Sequence, residues 1–182
     1  MHFDRYHSIA RMVLVLAFTL GLPSLGISQS GAGRLNVDLI LTPDFCKTPM
    51  NWGREKFNVG DRLCAALEKP LAGVFGSVHT LDHDPGPNAS TADIILVPKI
   101  DDVSSTVHRN MEFVMVLEWT ATDPTGKTIW LNTVQASARR NWGSAFTGKK
   151  NINHMIDDGV ADAVQKTVAA INGAPELSGL KK

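Results

Sequence analysis

The sequence predicts an α+β fold, with a mainly antiparallel sheet of four to five strands and two helices packed on one of its faces. Three observations carry that expectation. Residues 111–140 alternate apolar and polar side chains on both sides of a turn. Two stretches, near 58–75 and 151–172, each hold one apolar stripe at helical spacing. Residues 94–97, Ile-Ile-Leu-Val, form an apolar tetrad that suits a strand buried on both faces.

The elements follow in order. Residues 29–33 are a flexible lead-in. From Leu35 to Leu41 the odd positions are apolar and Asn36 and Asp38 polar, which is period two and therefore a strand. Residues 42–57 lack periodicity, hold two prolines, Cys46 and Trp52, and read as a long loop. A helix follows, with Asn58 or Asp61 placed to accept a hydrogen bond from a free backbone N–H. Leu63, Leu67, Leu71, Val74 and Phe75 form its stripe, and Arg62, Ala65, Glu68 and Lys69 its other side. Pro70 removes a donor within it, so a kink or restart is expected. Residues 78–81 are a short strand, and 84–88 a turn-rich loop. Pro98 implies an edge or bulge just beyond the tetrad.

In the hairpin, Met111, Phe113, Met115, Leu117 and Trp119 share one face. Asp123-Pro124-Thr125-Gly126 supplies the turn, and 127–140 the returning strand, with Ile129, Leu131, Val134 and Ala136. A bulge at the glycine would shift the pairing by one residue. The opposite face carries Glu112, Glu118 and Gln135, or their neighbours. Residues 141–151 read as a loop. The last helix starts near Asn151 or Asn153. Its stripe is Ile152, Ile156, Val160, Val164, Val168 and Ile171, and it ends at Gly173 and Pro175. Residues 29–174 are expected to form a single α/β domain, and 175–182 a flexible tail.

Residues 1–28 read as a secretory signal peptide. Arg5 and Arg11 precede an eleven-residue apolar run at 12–22, and Gly26-Ile27-Ser28 provides a small-x-small cleavage site. A spanning helix needs about 20 apolar residues, and Pro23 and Gly26 interrupt this run, so an uncleaved anchor is the less favoured reading. The first cysteine in the chain is Cys46, so no Cys lies where a lipid would attach, and a periplasmic or secreted product starting near Gln29 is expected. That product carries 16 basic and 17 acidic residues, which excludes a binder of nucleic acid driven by a basic field. It also holds two cysteines, Cys46 and Cys64. In an exported chain they suit a disulfide; the alternative is an apolar Cys64 on the helix and a loop thiol at Cys46.

No motif supplies a reaction. Gly76-Ser77 and Gly143-Ser144 do not complete a nucleophile elbow, and no phosphate loop or dinucleotide fingerprint occurs, so no catalytic, metal or cofactor-binding residues are assigned. His79, Asp82, His83 and Asp84 are the only group with metal-ligand types. On a continuing strand His79 and His83 would stand about 13 Å apart, too far to share one ion unless the chain bends near Leu81. Asn88-Ala89-Ser90 matches the acceptor triplet for N-glycosylation. Arg139, Arg140, Lys149 and Lys150 bracket a loop carrying Trp142 and Phe146. This is a candidate partner surface, unless the two aromatics tuck beneath the loop.

The segment Asp123-Pro124-Thr125-Gly126-Lys127-Thr128-Ile129-Trp130 follows an apolar tetrad preceded by Ala92-Asp93 and precedes a C-terminal amphipathic helix. In this it resembles the small α/β domain of periplasmic and outer-membrane accessory proteins. These include the curli-secretion component, the lipoprotein activator of penicillin-binding proteins, and YajG-type and lipopolysaccharide-assembly lipoproteins. The resemblance covers most of residues 35–172 through short motifs. It implies an envelope location and no catalytic residues. The chain departs from those families in lacking the lipid-attachment Cys.

Three functions are consistent with these features. The first is a non-enzymatic accessory domain that binds an envelope protein, with membrane contact possible but no spanning helix in the mature chain. The second is a module that holds a lipid or other amphipathic molecule between helices and sheet, with Met111, Met115 and Met155 as adaptable lining. The third is a metal-dependent enzyme built around His79.

Overall fold

The computed structural model describes residues 35–107, 110–141 and 148–180. Five strands form one sheet: β1 (Asn36–Ile40), β4 (Ser77–Leu81), β5 (Ile94–Val107), β6 (Asn110–Thr122) and β7 (Thr128–Asn141), in the order β4-β1-β5-β6-β7. Two helices, α2 (Val59–Val74) and α3 (Gly148–Asn172), pack together and against it. The expected α+β architecture is therefore present, but the sheet is mixed. β5, β6 and β7 form an antiparallel meander, whereas β1 pairs in parallel with both β4 and β5. Alternation along β1 marks a strand and carries no information about the direction of its neighbours, which is why the parallel pairing escaped the sequence.

The meander supplies a large share of the core. Met111, Phe113, Met115, Leu117, Trp119 and Ala121 on β6 all lie on the covered face and are fully buried. Val134 and Ala136 of β7 and Ile152, Ile156, Val160 and Ala163 of α3 join them. Each large side chain buried this way contributes about 1.5–3 kcal/mol. Gly159 belongs to the same contact. A Cβ there would stand 2.2 Å from Phe113, so only glycine lets α3 settle on that ring. At the hairpin end, Gly126 takes φ 87 and its N–H donates to the Asp123 carbonyl at 2.9 Å. The register, which the sequence leaves open, slips between Ala121 and Thr122, at Ile129 and not at the glycine.

Three stretches differ from expectation, and α2 narrows one expectation. Residues 42–57, read as a loop, contain α1 (Pro43–Cys46), β2 (Pro49–Trp52) and β3 (Glu55–Asn58). These elements are too short to show a period, although Thr42 as cap and Pro43 at the first position mark the start of α1. α2 runs through Pro70 without ending and is capped by Asn58, whose Oδ1 accepts from the Asp61 N–H at 3.1 Å. β5 continues past the tetrad to Val107, with a bulge between Ile100 and Asp102. Residues Pro175–Ser178, within the expected tail, form α4 and bury Leu177.

Cys46 and Cys64 are joined by a disulfide, with Cα atoms 5.8 Å apart, which ties α1 to α2. Arg62 ties α2 to α3: its guanidinium donates to the Asn153 carbonyl at 3.1 Å and to Asn153 Oδ1 at 2.5 Å, and pairs with Asp157.

β7 is an edge strand, and α3 covers part of its free backbone. The Ser137 N–H donates to Asp162 Oδ2 at 2.9 Å, and Lys166 Nζ donates to the Gln135 carbonyl at 3.0 Å. Burial raises the Asp162 carboxyl, but the Lys166 ammonium and the Ser137 N–H outweigh it and hold the group below the usual carboxylate range. A depressed carboxyl stabilises the fold above its unfolded value near pH 4, and that contribution fades as pH falls through the lower folded value. Asp162→Asn should therefore cost about 0.5–1 kcal/mol at pH 7. Urea unfolding at descending pH should show the gap between variant and parent closing below about pH 4. A gap that persists unchanged at pH 2 would show that the charge is not its source.

Candidate functional site

The basic residues expected to mark a partner surface lie on two elements. Arg139 and Arg140 end β7, and Lys149 and Lys150 begin α3. Alternation sends the two arginines to opposite faces of the sheet. Arg139 Nη2 meets Glu112 Oε1 at 3.1 Å, its neighbour in register. Arg140 Nε meets Asp158 Oδ2 at 2.6 Å on α3. That hydrogen bond raises the guanidinium further and lowers the Asp158 carboxyl. Lys149 Nζ lies 3.2 Å from Glu55 Oε2, and Lys150 is exposed. Three of the four charges thus meet carboxylates of the same chain, which offsets them locally. Trp142 and Phe146 lie outside the described residues.

The histidine region resolves into turn chemistry. His79 is exposed on β4 beside Asp38 of β1. His83 Nδ1 meets Asp82 Oδ1 at 2.6 Å, and that contact lowers the Asp82 carboxyl. Asp84 Oδ1 accepts from the Gly86 N–H at 2.8 Å. Among the described residues no three His, Cys, Asp or Glu side chains converge as a metal site.

The loop 82–93 is fastened across the sheet by polar bonds. Ser90 Oγ donates to Asp38 Oδ2 at 2.5 Å, Asp93 Oδ2 accepts from the Asn36 N–H at 2.8 Å, and the Asn88 N–H reaches the Pro124 carbonyl at 2.6 Å. Asn88, in the glycosylation triplet, is exposed at φ 61. Beneath this loop Asn36, Asp38, His79 and Thr91 line a recess of about 200 Å³. A second, of about 270 Å³, lies between α1 and β5 and is lined by Asp44, Phe45, Pro98 and Lys99. Both are smaller than the roughly 300–1,000 Å³ of ordinary ligand clefts.

The outer face of the meander carries Glu112, Glu118 and Gln135, as expected, with Val114, Val116, Thr120, Thr133 and Ser137 between them. Leu131 stands on it 68% exposed. Met111, Met115 and Met155 are fully buried within the core.

Alternation in the sequence does not reveal the extension of β5. Its odd positions, Val103, Ser105 and Val107, alternate with Asp102, Ser104 and Thr106, but Asp101 in the bulge breaks the period.

No family model matches the chain, and no curated protein matches it. Solved structures do. A protein from Xanthomonas campestris of family DUF330 superposes with a TM-score of 0.51 at 8% identity, covering 78% of this chain and 89% of that one. A hypothetical protein from Chlamydia trachomatis gives 0.50 at 14% identity, covering 77% and 96%. At such identities the likeness shows a shared fold. Several other structures with a similar arrangement are bacterial lipoproteins, among them one from Neisseria meningitidis, with a TM-score of 0.47 at 12% identity, covering 78% of this chain and 100% of that one. Among the described residues no helix is long and apolar enough to cross a membrane.

Proposed function

We propose that the chain is an exported, non-enzymatic accessory domain that binds a protein partner in the cell envelope. One observation carries the reading: a disulfide between Cys46 and Cys64 in a chain headed by a charged, apolar and small-residue leader. The two features are independent, and both point to an oxidising compartment. The resemblance of residues 123–130 and their surroundings to envelope accessory domains supports the same reading. The lipid-binding alternative has less support, because the chain's own methionines fill the space between helices and sheet.

Cross-linking in intact cells, followed by affinity capture from the periplasmic fraction and sequencing of the N-terminus, tests this. The expected product starts near Gln29 and brings one specific envelope protein with it. A cytosolic product that keeps Met1, or exported product that repeatedly captures nothing specific, would overturn the proposal. A lipid co-purifying at one-to-one stoichiometry in native mass spectrometry would favour the alternative.

A further inference from the structure

Along one stretch of the meander no described strand pairs with the outer side of β5, although β2 and α1 lie against part of that strand. Which residue faces which neighbour follows from ladder alternation. On β7 the Ser137 N–H goes to Asp162 and the Gln135 carbonyl to Lys166, so both residues turn away from β6. Their partners in register, Val114 and Val116, therefore point their polar groups toward β5, at Ser104 and Asp102. With Ser104 and Asp102 bonded to β6, Val103, Ser105 and Val107 present their N–H and C=O groups to the opposite side. There β1 reaches only Ile94, Ile95 and Leu96 of β5, and no other described strand pairs with β5 on that side. The same alternation, taken across the bulge, points Ile100 and Pro98 outward, and a proline on an open edge costs no ladder bond. Asp101, Asp102, Ser104, Thr106 and Val107 are exposed, and Val103 and Ser105 half-buried.

We propose that this edge, from Ile100 to Val107, accepts an extended basic segment of a partner protein as an added strand. The inference rests on the partner-binding reading above and names the partner's chemistry. Addition of a strand to a sheet edge draws affinity from main-chain hydrogen bonds and specificity from the side chains beside them. Here the flanking charges are acidic. Asp101, Asp102, Glu112 and Glu118 stand against Lys99 and Arg139, and both cations lie within 3.1 Å of those carboxylates. An added strand bearing Lys or Arg meets that excess. A second copy of this chain would bring the same negative rim and is disfavoured by like charge.

The test uses the purified protein and a blocked peptide of alternating Lys and Val, with a Glu and Val peptide as control. Fluorescence anisotropy should show the basic peptide binding at least about tenfold more tightly than the acidic one. Hydrogen exchange should show the peptide protecting the amides of Val103, Ser105 and Val107. Ser105→Pro, which removes an outward N–H, and Asp102→Lys, which reverses a flanking charge, should each weaken binding about tenfold. If Ser105→Pro does not fold, Asp102→Lys and the exchange map decide. Failure of the basic peptide to bind, equal binding of both peptides, or protection elsewhere would overturn the proposal. So would a concentration-dependent dimer abolished by either variant. Capture of the same envelope partner by the parent and both folded variants would overturn this edge and leave the accessory reading standing. Peptide binding as expected, without any captured partner, would support the edge and count against that reading.

Discussion

Gly60→Ala is expected to destabilise the protein by about 3 kcal/mol or more, a large effect for the addition of one methyl group. Inside a helix the change from Gly to Ala ordinarily stabilises, by up to about 1 kcal/mol. The sign reverses here because a Cβ at Gly60 would stand 2.1 Å from the carbonyl oxygen of Phe45 and 2.9 Å from the carbonyl carbon and oxygen of Cys46. These are backbone atoms and cannot rotate aside. α1 cannot slide away either, since the disulfide holds it to α2, and the Gly60 N–H is bonded to the Thr48 carbonyl at 3.0 Å. Gly73, in the same helix, has nothing within 4 Å of its would-be Cβ. Gly73→Ala should therefore stabilise by about 0.5–1 kcal/mol. Urea unfolding of both variants checks the pair. A Gly60→Ala midpoint equal to that of the parent would refute the close approach of α1 and α2.

Removing the disulfide by Cys46→Ser with Cys64→Ser is expected to cost about 3 kcal/mol, the loop-closure entropy released to the unfolded chain by opening a ring of this size. For a domain of this length that corresponds to a fall of about 6–12 °C in Tm. Reductant should bring the parent to the Tm of the double variant and leave the variant unmoved. A parent insensitive to reductant throughout unfolding would show that the bridge is absent from the protein in solution.

Sequence periodicity revealed the long elements and stopped at the irregular ones. Six alternating apolar positions on β6 and the i, i+3 and i+4 stripes on α2 and α3 repeat often enough to identify strand and helix. α1, β2 and β3 are four residues each, shorter than any window in which a period can be counted. Of the kink or restart expected at Pro70, α2 does not make the restart. The loss of one hydrogen bond is outweighed there by the burial of Leu67 and Leu71 on either side. The charge pattern at 139–150 was legible only in part. The cations are visible in sequence, but Glu112, Asp158 and Glu55, which meet them, come from three other places in the chain. The open edge of β5 needs knowledge of what lies beside a strand, and only the assembled sheet provides it.

The bridge also bears on the order in which the molecule can be made. Cys46 and Cys64 are 18 positions apart, and everything that directly joins them lies before β5. Were the chain exported N-terminus first, as proposed above, both thiols would emerge while the meander is still on the far side. An oxidant waiting at the exit would meet two nearby thiols with nothing else to pair with. Within one chain mispairing is precluded by scarcity, and the three long strands would arrive to find α1 and α2 already fastened together.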